Sequence, residues 1–81
     1  IGSAPVYVSL DLDVLDPSVM PGTGTAEPGG VSYQEMLKAI YQLEGLNIVG
    51  CDLVELTPPL DLSGASTAVA VKLLRELILV L

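Results

Sequence analysis

Residues 6–30 read VYVSLDLDVLDPSVMPGTGTAEPGG, an apolar segment that runs into three carboxylates and then into a loop of Pro, Gly and Thr. Val6, Val8 and Leu10 alternate with Tyr7, Ser9 and Asp11, yet almost every position before Asp11 is apolar or small. A strand covered on both faces has this composition, and such strands belong to parallel sheets. Pro17 fixes φ and lacks a backbone donor, so regular structure stops there. Asp11, Asp13 and Asp16 therefore fall where the strand ends, the edge at which open α/β sheets bind ligands. Strict alternation would send Asp11 and Asp13 to one face of the sheet. Two carboxylates so placed repel unless a cation or a proton intervenes. Hard oxygen donors suit Mg²⁺, Mn²⁺ or Ca²⁺. An Asp-x-Asp pair alone also fits a solvated turn. The loop behind it tips the balance, because structureless connections of this length are usually functional or disordered. Its glycines allow close backbone approach to a ligand, and Thr23 and Thr25 add hydroxyls.

Outward from this stretch the elements follow in order. Ser32 to Glu35 form a capping box. They open a helix that carries Met36, Leu37, Ile40 and Leu43 on one face, with Gly45 suited to its end. Ile48 to Glu55 reads as a second strand, apolar except for Asp52. Two such strands joined through a helix make a βαβ unit. Asp52 lies mid-strand and needs a partner, expected in a neighbouring loop. Glu55 ends the strand just before Thr57-Pro58-Pro59, so it falls on the same edge as Asp11 and Asp13; a solvent-exposed strand-end acid is the plainer alternative. Asp61 to Gly64 turns the chain, and Ser63 or Ser66 is expected to cap a last helix reaching about Val80. That helix is apolar around much of its surface and expects neighbours on more than one side. Lys72 and Glu76 stand i,i+4 for a weak ion pair. No internal repeat is present.

Size and charge narrow the function. The 81 residues allow one small domain, 51% hydrophobic with a net charge of −7. A chain this short buries only about 60% of its unfolded surface. The acidic balance argues against nucleic acid and anionic membranes as partners and suits a site that collects cations. The run from Ala65 to Leu81 is interrupted by Lys72, Arg75 and Glu76, so a membrane-spanning helix is not expected. Cys51 is the single cysteine. It reads as a small buried residue, and a reducing, cytoplasmic compartment is expected. Histidine is absent, so any metal site built from this chain alone must do without imidazole. Ile1 rather than Met opens the chain, as expected for a piece of a longer one.

The segment SLDLDVLDPSVMPGTGTAEPGG resembles the ureohydrolase family, the arginases, agmatinases and their relatives, through Ser9, Asp11, Asp13, Asp16-Pro17, Pro21-Gly22 and Gly29-Gly30. The segment GCDLVELTPPLD resembles the family's C-terminal Gly-x-Asp-apolar-apolar-Glu-x-x-Pro pattern, and the Pro-Gly-Thr-Gly-Thr wording is closer to agmatinases than to animal arginases. The resemblance implies that residues 1–81 are the incomplete C-terminal portion of an arginase-like domain, a βαβα piece of a three-layer parallel-sheet α/β fold. It implies a centre of two Mn²⁺ ions that hydrolyses a guanidino group, of agmatine type, to urea and an amine. Asp11 would bridge both metals and Asp13 would ligate one. Glu55 would take the guanidinium, Thr25 would line the substrate entrance, and Asp16 would brace the loop. A homo-oligomer is expected. The family's histidine-bearing segments have no counterpart here, so the chain alone is expected to be inactive. Two other readings remain: a non-catalytic remnant that survives by pairing with another chain, and phosphoryl transfer of the haloacid-dehalogenase type. The latter is disfavoured by Leu15, which stands where that motif carries Thr or Val.

Overall fold

The computed structural model describes residues 2–81. Its elements run β1 (Pro5–Asp11), α1 (Tyr33–Tyr41), β2 (Asn47–Val54) and α2 (Ala65–Leu79), with 3-10 turns at Leu12–Val14 and Pro58–Leu60. β1 and β2 pair in parallel, Val8 opposite Cys51, Leu10 opposite Leu53 and Asp11 opposite Val54. Parallel strands need a long crossover, and the loop with α1 supplies it. The expected α/β class and βαβα order are both present.

α1 begins as its sequence dictates. The Ser32 hydroxyl accepts the Glu35 amide at 3.1 Å, and the Glu35 carboxylate accepts the Ser32 amide at 2.9 Å. Met36 and Ile40 are buried on one face of α1, and Ala70, Leu73 and Leu77 on one face of α2. Spacings of three and four place such residues in a single stripe. The two stripes meet in one core with Leu12, Leu15 and Met20, and Val8, Leu10, Cys51 and Leu53 of the sheet pack against it. Leu12, Leu15 and Met20 are fully buried. The segment after β1 is thus anchored in the core rather than structureless.

Two expectations about packing change. Both helices feed the core on one side of the sheet, so the other side is open: Tyr7 is 61% exposed and Val49 66%. The described residues therefore supply two layers of the expected three. Asp52 takes its partners from the neighbouring strand, not from a loop. It accepts the Ser9 hydroxyl at 2.7 Å and the Tyr7 hydroxyl at 2.9 Å. These bonds, Ser9 first, hold its carboxyl below the usual range. On α2, Glu76 accepts the Tyr41 hydroxyl at 3.1 Å, while Lys72 lies 5.8 Å over the Tyr33 ring. Both groups tie α2 to the α1 side rather than forming the expected i,i+4 pair. Val71, Ile78 and Leu79 remain exposed on α2. Among the described residues no helix is long and apolar enough to cross a membrane.

Candidate metal and substrate site at the strand ends

The site begins where β1 stops. The Asp11 carboxylate accepts the Asp13 amide at 3.0 Å and so caps the 3-10 turn at Leu12–Val14. Asp13 is in that turn, not on the strand, and strand alternation does not fix its direction. A partner from the loop does: the Thr25 hydroxyl donates to Asp13 Oδ2 at 2.7 Å. The hydroxyl of Thr23, itself buried, lies 3.3 Å from that of Thr25. Thr25 was expected at a substrate entrance; its hydroxyl proton is committed to Asp13. The other oxygens, Asp11 Oδ2 and Asp13 Oδ1, take no part in these bonds. An open groove of about 370 Å³ runs beside Asp13, lined also by Val14, Glu27, Pro28, Gly29 and Gly30. Glu27 carried no local signal in the sequence, standing alone between Ala and Pro.

Glu55 lies one residue beyond Val54, which pairs with Asp11, so both acids occupy the same edge of the parallel pair. β2 ends one residue earlier than its sequence suggests because Glu55 has φ 72°. A non-glycine residue held there costs about 1–3 kcal/mol, and such residues cluster at ligand sites. Glu55 is exposed.

Two carboxylates brace the loops behind these acids. Asp16 accepts the amide and hydroxyl of Ser18 and, at 3.0 Å, the amide of Gly29. Those bonds, the Ser18 hydroxyl foremost, lower its carboxyl below the ordinary value. The sequence places Asp61 in a turn. It accepts the amide and hydroxyl of Ser63 and the amide and hydroxyl of Ser66. Neither serine holds the N-cap position expected of it, because Gly64 occupies it. Asp61 takes the Ser66 amide and the Ser63 hydroxyl takes that of Ala65. The missed signal was Asp followed two and five residues later by Ser, an Asx-turn pattern.

Hydrogen bonds from Ser63 and then Ser66 lower the Asp61 carboxyl from 3.8 to about 2. A folded-state value below the unfolded one contributes stability that is present above the unfolded value and is lost as pH falls through the folded one. Acid titration followed by circular dichroism is therefore expected to show stability declining from about pH 4 toward pH 2. In an Asp61→Asn variant that part of the decline is expected to disappear.

Asp11 and Asp13 are hard anionic donors of the kind that bind oxygen-preferring divalent cations. Among the described residues no three His, Cys, Asp or Glu side chains come together closely enough to hold a metal ion. The pair thus fits as two members of a ligand set that these residues do not complete.

The sequence model of the Arginase family matches residues 1–80. A human guanidino acid hydrolase, described as mitochondrial, is 47% identical over 78 residues, 96% of this chain and 22% of the relative. A mitochondrial agmatinase from Gallus gallus is 48% identical over 81 residues, all of this chain and 24% of the relative. The solved structure of proclavaminate amidino hydrolase from Streptomyces clavuligerus superposes with a TM-score of 0.89 at 42% identity, covering 94% of this chain and 26% of that one. The chain spans about a quarter of the length of these proteins. With a parallel strand pair that gathers its acids on one edge, and with the family model matching residues 1–80, this chain belongs to the arginase family.

Proposed function

We propose that this chain is the C-terminal portion of a Mn²⁺-dependent ureohydrolase that cleaves a guanidino group, of agmatine type, to urea and an amine. The observation that carries it is the shared edge: Asp11 and Glu55 end neighbouring parallel strands, and Asp13 is held one turn beyond Asp11 by Thr25. Asp11 and Asp13 would hold metal, their free oxygens being the donors. A divalent metal held by these residues would activate water for attack near neutral pH. Glu55 would take the guanidinium through a charge-assisted bond. Thr25 would line the entrance with its oxygen while its hydroxyl donates to Asp13. The net charge of −7 favours both the metal and a cationic substrate. Relatives named agmatinase and guanidino acid hydrolase support the substrate class.

A homo-oligomer in the cytoplasm belongs to the same proposal. The exposed Ile78 and Leu79 of α2 support a covering partner, while Tyr7 and Val49 lie on the sheet face where the third layer is expected. They equally fit the second reading, an oligomerising piece without catalysis. One experiment separates the two. Protein expressed from its complete coding sequence and loaded with Mn²⁺ is expected to release urea from agmatine faster than from 4-guanidinobutyrate or arginine. The 81 residues alone are expected to release none. A complete protein inactive on all three substrates sinks the proposal, and turnover by the 81 residues alone refutes their dependence on further ligands.

A further inference from the structure

The two loops that carry the candidate site meet at Gly22, through one buried hydroxyl and one backbone bond. Ser66, fully buried at the start of α2, donates from Oγ to Asp61 Oδ2 at 2.6 Å and accepts the Gly22 amide at 2.8 Å. The Gly22 carbonyl in turn accepts the Thr57 amide at 2.6 Å. Both backbone groups of Gly22 are thereby spent on tying the loop after β1 to the segment after β2. The contact is close enough to require glycine. A Cβ at position 22 would lie 2.7 Å from Ser66 Cβ and 2.8 Å from its Oγ. Three residues further along the first loop, Thr25 donates to Asp13; two residues before Thr57 stands Glu55.

We propose that Asp61 and Ser66 are positioning residues for the ureohydrolase reaction: through Gly22 and Thr57 they lock the Thr25–Asp13 side of the site to the Glu55 side. This rests on the function proposed above. The chemistry of the relay explains its composition. Ser66 has one proton and uses it on Asp61, which leaves its lone pairs to receive Gly22. Asp61 must be an anion to accept four donors at once, as its depressed carboxyl allows. A buried amide left without its acceptor is costly, so losing Ser66 Oγ frees Gly22 to move.

The test uses the protein expressed from its complete coding sequence, with Ser66→Ala and Asp61→Asn compared against Ile40→Val. The last variant trims the core away from the relay and matches a modest loss of thermal stability. Amide hydrogen exchange over residues 22–25 is expected to accelerate about tenfold or more in Ser66→Ala and Asp61→Asn, and to stay within about twofold in Ile40→Val. In urea release, KM for the guanidino substrate is expected to rise about tenfold in the two relay variants with a smaller fall in kcat, because the bound guanidinium loses its aligned partner. Ile40→Val is expected to leave KM unchanged. Unchanged exchange at 22–25 overturns the lock itself. Faster exchange with KM unchanged, or KM rising equally in Ile40→Val, overturns its role in positioning. An inactive parent overturns the ureohydrolase reading instead, and is told apart because the exchange result is read without substrate.

Discussion

Asp11→Asn is expected to lower urea release by the complete Mn²⁺-loaded protein by more than about 100-fold and to weaken its Mn²⁺ binding in parallel. The substitution is nearly isosteric. Its amide oxygen still accepts the Asp13 amide, as Asp11 Oδ1 does at 3.0 Å, so the 3-10 turn keeps its cap. What is lost is the anion on the free oxygen, and with it a hard ligand for a divalent cation. Even a group that only orients a metal ligand is worth about 10–100-fold in affinity or activity when removed, and a ligand itself sets a higher bound. Thr25→Val supplies the comparison. It removes the 2.7 Å bond to Asp13 Oδ2 while keeping shape and branching, and is expected to fall within that 10–100-fold band. Mn²⁺ titration calorimetry and urea release on the same preparations read both effects. Equal Mn²⁺ affinity in Asp11→Asn and the parent would remove Asp11 from the metal site.

Gly30→Ala is expected to be the most damaging single-methyl substitution in the chain. A Cβ there would lie 2.6 Å from the Asp16 nitrogen, 2.6 Å from the Val14 oxygen and 2.7 Å from the Leu15 carbonyl carbon. All three are backbone atoms, so no flexible side chain can move aside. They belong to the bridge in which the Asp16 amide donates to Val31 at 2.9 Å and the Val31 amide to Val14 at 3.0 Å. Making room means parting those bonds and the Asp16 brace on Gly29. Overpacking costs about 1–3 kcal/mol, and two broken bonds add about 0.5–1.5 kcal/mol each. The total, about 2–6 kcal/mol, is a large share of the stability of a small domain. The midpoint of thermal denaturation is expected to drop by about 10 °C or more. Gly24→Ala is the matched control. Nothing lies within 4 Å of its added Cβ, and its midpoint is expected to stay within a few degrees of the parent. A Gly30→Ala protein as stable as Gly24→Ala would show that the loop is not seated on Val14, Leu15 and Asp16 as described.

The local parts of this protein were legible from residue types and spacing. Apolar runs of strand length on either side of a helical stripe dictate β–α–β, because each element must bury one face and the periods 2 and 3.6 are visible in the chain. The Ser32–Glu35 cap depends on partners three residues apart, so its donors and acceptors stand together in the sequence. The common edge of Asp11 and Glu55 follows from parallel pairing alone. Tertiary structure decided the rest. That Asp13 is aimed by Thr25, twelve residues on, and that Ser66 reaches back 44 residues to Gly22, has no periodic trace. A hydroxyl that caps its own helix and one that crosses to a distant loop are the same residue type on paper. The open outer face of the sheet is likewise invisible in the sequence, since a strand composed for two covering layers reads the same whether one or both are supplied. Hydrophobic pattern records what a surface must lose to water, and only the assembled chain shows which neighbour takes it away.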